Sequence, residues 1–216
     1  MDIGPKSVAS RTGTKGVPRE EREHQIIDAA MLAFGSKGFA ATSIADVAAA
    51  AGISKPLIYN YFGSKDGLHA ACLSRGAALL GGEVERIARE EPVGIERGIN
   101  TLDAIFAVLE GRRHVWRLLY DPSIPESGPS AAVAAAYHDR MHELAIEGVG
   151  ELLGLAGISD PDDVDAATVT WSGVINSAME WWIDRPDQSA KDMMDRVGRV
   201  AMALFMDADR TEEVLP

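Results

Sequence analysis

SIADVAAAAGISKPLIYNYF, residues 43–62, is the segment on which the reading of this chain turns. Ser43 and Asp46 stand at capping-box spacing, with Asp in place of the usual Glu, and predict a helix over 44–50. Gly52 breaks that helix, Ser54 is placed to cap a second one, and Pro56 fits its first turn. Two short helices joined by AGIS have the arithmetic of a helix-turn-helix. Ala48 is small enough for the helices to cross closely, and Ile44, Val47, Ile53 and Ile58 can close a small core. Lys55, Pro56, Leu57, Tyr59, Asn60 and Tyr61 then crowd the outer face of the second helix. That is where a recognition helix meets base edges and phosphates in the major groove. Lys ammonium groups, Tyr hydroxyls and helix N-terminal N–H groups are all phosphate donors.

Outward from this segment the grammar stays helical, with no sustained period-2 alternation to support strands. Upstream, Pro18, the acidic turn Glu20, Glu21 and Glu23, and the spacing of Ile27, Ala30, Met31 and Phe34 predict a helix ending near Gly38. Downstream, Ser64 caps a long helix from Lys65 to about Arg89. Ile95, Ile99, Leu102, Phe106 and Leu109 form a stripe, and a short piece spans 114–120. DPSIPESGPS (121–130) reads as a loop, and 130–155, a helix from Asp160 and a last helix from Ser189 complete the chain. The expectation is an all-α protein of about nine helices.

Charge divides the chain. Residues 1–68 hold 8 Lys and Arg against 7 Asp and Glu, whereas 69–216 hold 13 against 26, within a net charge of −12. A near-neutral head with a basic arm (Lys6, Arg11, Lys15, Arg19, Arg22) beside an acidic body suggests two parts with different partners. The division predicted is a flexible basic arm over 1–18, a DNA-binding unit over 19–68 and a body over 69–216. The arm can enter a minor groove or be a mobile tail, and the tail is preferred because short termini are usually mobile. A single Cys72, no apolar run of membrane length and no secretory signal point to a cytoplasmic protein with no membrane partner.

Residues 24–68 resemble the DNA-binding domain of the tetracycline-repressor (TetR) family of bacterial transcription regulators. The resemblance is carried, without gaps, by Ile27-Asp28-Ala29-Ala30, Phe34, Lys37-Gly38, Thr42-Ser43, Ala48, Ala51-Gly52, Tyr59, Phe62 and Ser64-Lys65. It implies a three-helix DNA-binding head on an all-helical body that dimerises through its last two helices and binds a small molecule. It also implies phosphate contacts by Thr42, Ser43 and Lys65, and groove and backbone contacts by Lys55, Pro56, Tyr59 and Tyr61. Leu57 departs from the pattern, since a small or hydroxylated residue is commoner there, and can touch a thymine methyl group.

In the body, aromatic residues can line a pocket with a few polar groups for orientation. The candidates are Phe106, Trp116, Tyr120, Tyr137, Met141, Trp171 and Met179, with Ser172, Asn176 and Glu180 as polar partners; Trp181, Trp182 and His114 are further possibilities. Most aromatics of such a body also serve as core. The seam of a homodimer is expected at Trp171, Val174, Ala178, Trp182, Val197, Ala201, Leu204 and Phe205, because the last two helices are apolar on more than one face. Two-fold symmetry would match a palindromic operator. The function expected is a ligand-released repressor of double-stranded DNA sites, not an enzyme, with no cofactor and no metal. An activator or corepressor-dependent regulator is the alternative. A metal-dependent hydrolase on His138 and His142 (HDRMH) is disfavoured, since Asp139 stands where such motifs need Glu. A nucleoid-type protein without a ligand is a third reading.

Overall fold

The computed structural model describes residues 17–205. Within them the chain forms nine helices and no strand: α1 (Arg19–Ala41), α2 (Ile44–Ala50), α3 (Lys55–Phe62), α4 (Lys65–Glu90), α5 (Ile95–Leu109), α6 (His114–Leu119), α7 (Pro129–Leu155), α8 (Pro161–Ile183) and α9 (Ala190–Phe205). Of the basic arm expected over 1–18, only Val17 and Pro18 lie among the described residues. No helix among the described residues is long and apolar enough to cross a membrane.

The helix starts follow the local chemistry closely. Ser43 and Asp46 form the reciprocal capping box of α2, Ser64 accepts from the Gly67 N–H at 2.9 Å, and Asp160 accepts from the Asp162 N–H at 3.0 Å. Ser54 sits at the α3 N-cap position, but its side chain makes no capping bond. The end of α1 differs from expectation: helical structure extends to Ala41, with a break at Gly38 (φ 79°, ψ 166°).

One continuous core joins head and body. Ile26, Ala30 and Phe34 of α1, Val47 of α2, Ile58 of α3 and Leu68, Cys72 and Leu73 of α4 are buried together, and the cluster runs on through Leu109, Leu118, Leu119 and Trp182. Helix α4 therefore belongs to both parts, its first turns against the head and its later ones against α5 and α7. Cys72 is buried within this core, and burial pushes its thiol well above its ordinary range, so it packs rather than reacts. The predicted α5 stripe is only partly inward: Leu102, Phe106 and Leu109 are buried, joined by Ile105, while Ile95 and Ile99 are exposed at the start of the helix.

Candidate DNA-binding face and ligand cavity

The helix-turn-helix is built on a buried underside. Ile44, Val47, Ala48 and Ile58 face the core, and the turn is pinned by the Ile53 N–H donating to the Ala48 carbonyl at 2.9 Å. With Ile58 fully buried, the opposite side of α3 faces solvent: Lys55, Pro56, Tyr59 and Asn60 are exposed, and Leu57 and Tyr61 are half-buried. Ser43 is exposed at the start of α2, beside Asp46, whose carboxyl is held below its ordinary range by the Ser43 N–H and by Lys37. Tyr61 carries the Arg19 guanidinium over its ring at 5.0 Å, which brings the start of α1 to the end of α3.

Two expected DNA contacts are placed differently. Thr42 is only 2% exposed, and its hydroxyl points inward to the carbonyls of Gly38 (2.8 Å) and Ala33 (3.1 Å). It locks the end of α1 rather than presenting a phosphate donor. Lys65 is half-buried, with its ammonium 4.3 Å from the Phe39 ring centre and 3.5 Å from the Ala40 carbonyl. It braces the joint between α1 and α4.

That joint is also where the body grips the head. The Asp121 carboxylate accepts the Phe39 N–H, and Ser123 Oγ accepts the Ala40 N–H at 3.1 Å while donating to Asp121 at 2.8 Å. Gly38 makes room for this: a Cβ there would lie 3.2–3.3 Å from Ser123 Oγ and both Asp121 carboxylate oxygens, at a φ that side chains rarely adopt. The other end of the 121–130 loop is tied to α4, since the Ser130 N–H donates to the Asp66 carboxylate at 3.2 Å and its hydroxyl to the Asp66 carbonyl at 3.1 Å.

His69 is sealed under this loop. The single proton of the Ser130 hydroxyl is committed to Asp66, so Ser130 Oγ accepts from His69 Nδ1–H at 2.9 Å. His69 Nε2 then carries no proton and has no hydrogen-bond partner, between the edges of Phe34 and Phe39. Burial pushes its pKa down from 6.5 to about 4, against the pull of Asp121 and Asp66. Because the folded value is the lower one, the unfolded chain takes up a proton first as pH falls below 6.5. This contribution is intact above that pH and is lost progressively towards pH 4, by about 3 kcal/mol at most. Urea midpoints measured between pH 7 and pH 4.5 should therefore fall less steeply for His69→Gln than for wild type. Parallel slopes would place the acid sensitivity elsewhere.

The body holds a half-open cavity of about 570 Å³. Its walls are Leu80, Val84 and Ala88 of α4, Ile95, Arg97, Thr101 and Ile105 of α5, Trp116 and Tyr120 at α6, the α7 stripe Tyr137, Met141, Leu144 and Gly148, and Ala167, Trp171, Ile175 and Asn176 of α8. Trp116 stacks on Tyr120 at 4.2 Å and Tyr120 on His138 at 5.0 Å. Burial raises the Tyr120 and Tyr137 phenols, whose rings meet edge to face at 6.2 Å. Tyr120 immediately precedes Asp121, so one cavity wall adjoins the grip on the head.

Of the ten pocket candidates, Trp116, Tyr120, Tyr137, Met141, Trp171, Ser172 and Asn176 line the cavity. Phe106 and Met179 are fully buried core residues, and Glu180 is exposed. Trp181 lies outside the cavity under the Arg185 guanidinium, and His114 sits at the crossing of α6 with α1. His138 and His142 both line it, but His138 Nε2 is bonded to the Leu119 carbonyl at 3.0 Å. No group of three His, Cys, Asp or Glu residues with metal-site geometry occurs among the described residues. Arg97, Thr101 and Ile105 were missed as lining residues, although their four-residue spacing puts them on one face of α5.

Helices α8 and α9 leave further apolar side chains exposed, with Val174 and Trp181, seven residues apart, on one face of α8. Val169, Val174, Trp181, Val200 and Met202 are exposed, with Val169, Val200 and Met202 at 61%, 57% and 60%. Among the expected seam residues, Val174 is on this face, Ala178, Val197 and Ala201 are half-buried, and Trp171 lines the cavity. Trp182 is corrected outright: it is fully buried against Phe106. The side chains of Leu204 and Phe205 lie outside the described ones.

Residues 26–72 match the model of the bacterial regulatory proteins of the tetR family. The HTH-type transcriptional activator FasR of Mycolicibacterium smegmatis is 31% identical over 112 residues, 52% of this chain and 51% of that protein. The chain spans about half the length of the curated relatives it matches. A TetR-like transcriptional regulator from Rhodococcus sp. RHA1 superposes with a TM-score of 0.66 at 26% identity, covering 88% of this chain and 98% of the other. AibR, solved in complex with isovaleryl coenzyme A and operator DNA, shares the fold at 19% identity with a TM-score of 0.70, over 84% and 97% of the two chains. The described residues share with these solved regulators an all-helical architecture with a helix-turn-helix near the start of the chain. Residues 26–72 are thus similar to the tetR family's regulatory proteins, and the chain as a whole is similar to the Rhodococcus regulator.

Proposed function

We propose that the protein is a sequence-specific DNA-binding regulator that works as a homodimer on a palindromic operator and is switched by a small molecule held in the body cavity. The observation that carries this reading is the α3 face of Lys55, Pro56, Tyr59 and Asn60, set outward by the burial of Ile58. Residues 19–68 serve as the DNA-binding unit, with Ser43, Lys55, Tyr59 and Tyr61 as its contacts, and the rest as ligand and dimerisation body. The acidic body repels DNA and leaves the head to dock. The exposed apolar face of α8, with the exposed apolar residues of α9, is the seam, as such a face on a soluble chain marks an interaction site.

Two recognition helices must reach successive major grooves about 34–36 Å apart. A ligand against Tyr120 acts on the Asp121 grip, and through Phe39 and Ala40 on the start of α2. It does so to the extent that it binds the two states unequally. A repressor released by its ligand is the reading preferred; FasR, an activator, keeps activation as the second reading. The complex of AibR with isovaleryl coenzyme A makes acyl compounds the first ligands to try.

The test is a titration of wild type, Lys55→Ala and Lys65→Ala on a duplex from upstream of the protein's own gene and on random duplex, at several salt concentrations. Lys65→Ala removes the brace on Phe39 and Ala40, so it should weaken both duplexes alike while leaving the salt slope unchanged. Lys55→Ala should cost about 1–3 kcal/mol on the specific duplex and shrink its advantage over random DNA. Unchanged affinity of Lys55→Ala for the specific duplex would sink the docking face.

A further inference from the structure

Arg97 is the one cation among the residues that line the cavity, and it stands there in unusual company. Its side chain is only 11% exposed, and it lies against the Ala88 carbonyl and the backbone at Gly148. The guanidinium lies 3.7 Å from the position a Cβ of Gly148 would occupy, so the missing side chain there leaves it room. Its partners are the Ala88 carbonyl at 3.5 Å and the carboxylate of Glu151, itself half exposed. A buried guanidinium needs an anion, and one that reaches it from a solvated position on α7 is easily exchanged.

We propose, resting on the reading of this cavity as the receptor site, that its ligand is an apolar molecule ending in a carboxylate, which Arg97 takes in place of Glu151. The planar fork of Arg97 matches a carboxylate with two parallel bonds. The apolar walls from Ile95 to Leu80 and Ile105 take the chain. The same charges discriminate against a coenzyme A head. Its several phosphate charges would meet one guanidinium, the carboxylates of Glu147 and Glu151, and the field of a strongly acidic body. In this respect the chain departs from AibR, whose solved complex holds isovaleryl coenzyme A.

The probes are decanoate, decanol and decanoyl coenzyme A, followed by the fluorescence of Trp116 and Trp171 in the full-length protein. Decanoate should bind about tenfold or more tightly than decanol, as a charged hydrogen-bonded pair implies, and more tightly than the thioester. Arg97→Gln should abolish the preference by weakening decanoate and leaving decanol unchanged. Glu151→Gln breaks the same ion pair but keeps the guanidinium, so it should tighten decanoate; a merely structural role for the pair predicts loss in both variants. Equal binding of decanol and decanoate, tighter binding of the thioester, or weaker decanoate binding in Glu151→Gln would overturn the carboxylate assignment with the cavity still a receptor. Binding of none of the three by protein that still holds DNA would overturn the assignment and the receptor reading together.

Discussion

Gly35→Ala should lower the stability of the protein by about 3 kcal/mol or more, at the upper end of what overpacking costs. Helix α1 crosses α6 with the backbone of Gly35 against His114. A Cβ at Gly35 would lie 2.2 Å from the His114 carbonyl oxygen and 2.8 Å from its carbonyl carbon. The obstacle is backbone, so no rotamer relieves it, and the flanking Phe34, Val115 and Leu118 are fully buried. The crossing must open. The displacement also reaches function, because α6 leads through Tyr120 to Asp121 and its bond to the Phe39 N–H. Reduced DNA affinity should accompany the lower urea midpoint. Gly82→Ala is the control: it is also helical, a Cβ there meets nothing within 4 Å, and the change should be neutral or stabilising by about 0.4–1 kcal/mol. Equal midpoints for the two variants would mean that α1 and α6 do not cross at Gly35.

The head was legible because its grammar is local. A capping box at Ser43 and Asp46, a turn at Gly52 and a proline at position 56 each act within a few residues, and the structure reproduces their helices. Thr42 shows where local reading ends. Its place before α2 resembles a phosphate contact, but the break at Gly38 swings its hydroxyl onto Ala33, and nothing near Thr42 announces that. In the body the aromatic residues stand out in the sequence, yet burial and cavity lining use the same side chains. Phe106 and Trp116 are indistinguishable by type, and only the packing of α5 against α8 separates core from wall. The two apolar faces of α8 were visible in the sequence, whereas their membership was not. Val174 and Trp182 are eight residues apart on a helix, close enough in phase to be assigned to one stripe. In the structure Val174 faces out and Trp182 in. Arg97 went unread because a single arginine on a helix is ordinarily a solvated charge.

Trp182→Ala should cost about 3–5 kcal/mol, the range for removing a fully buried aromatic. The ring meets Phe106 edge-on at 5.1 Å, carries the Arg113 guanidinium over its face at 3.8 Å, and donates from Nε1 to the Gln188 carbonyl at 2.9 Å. Arg113 also donates to the carbonyls of Trp182 at 3.0 Å and Arg185 at 2.7 Å, and to that of Gln188. One indole thus fastens α5, the start of α6 and the turn between α8 and α9 into a single platform. The outward face of that platform is the proposed dimer seam, and the two roles separate by experiment. Val174→Glu adds a charge to the exposed face without touching the core, so it should shift the protein from dimer to monomer in sedimentation while helix content at low temperature is kept. Trp182→Ala should do the reverse: a much lower urea midpoint, with the dimer retained under conditions where the chain remains folded. A Trp182→Ala midpoint within about 1 kcal/mol of wild type would contradict the core assignment. A Val174→Glu protein that sediments as an unchanged dimer would remove this face from the seam, whatever the head does on DNA.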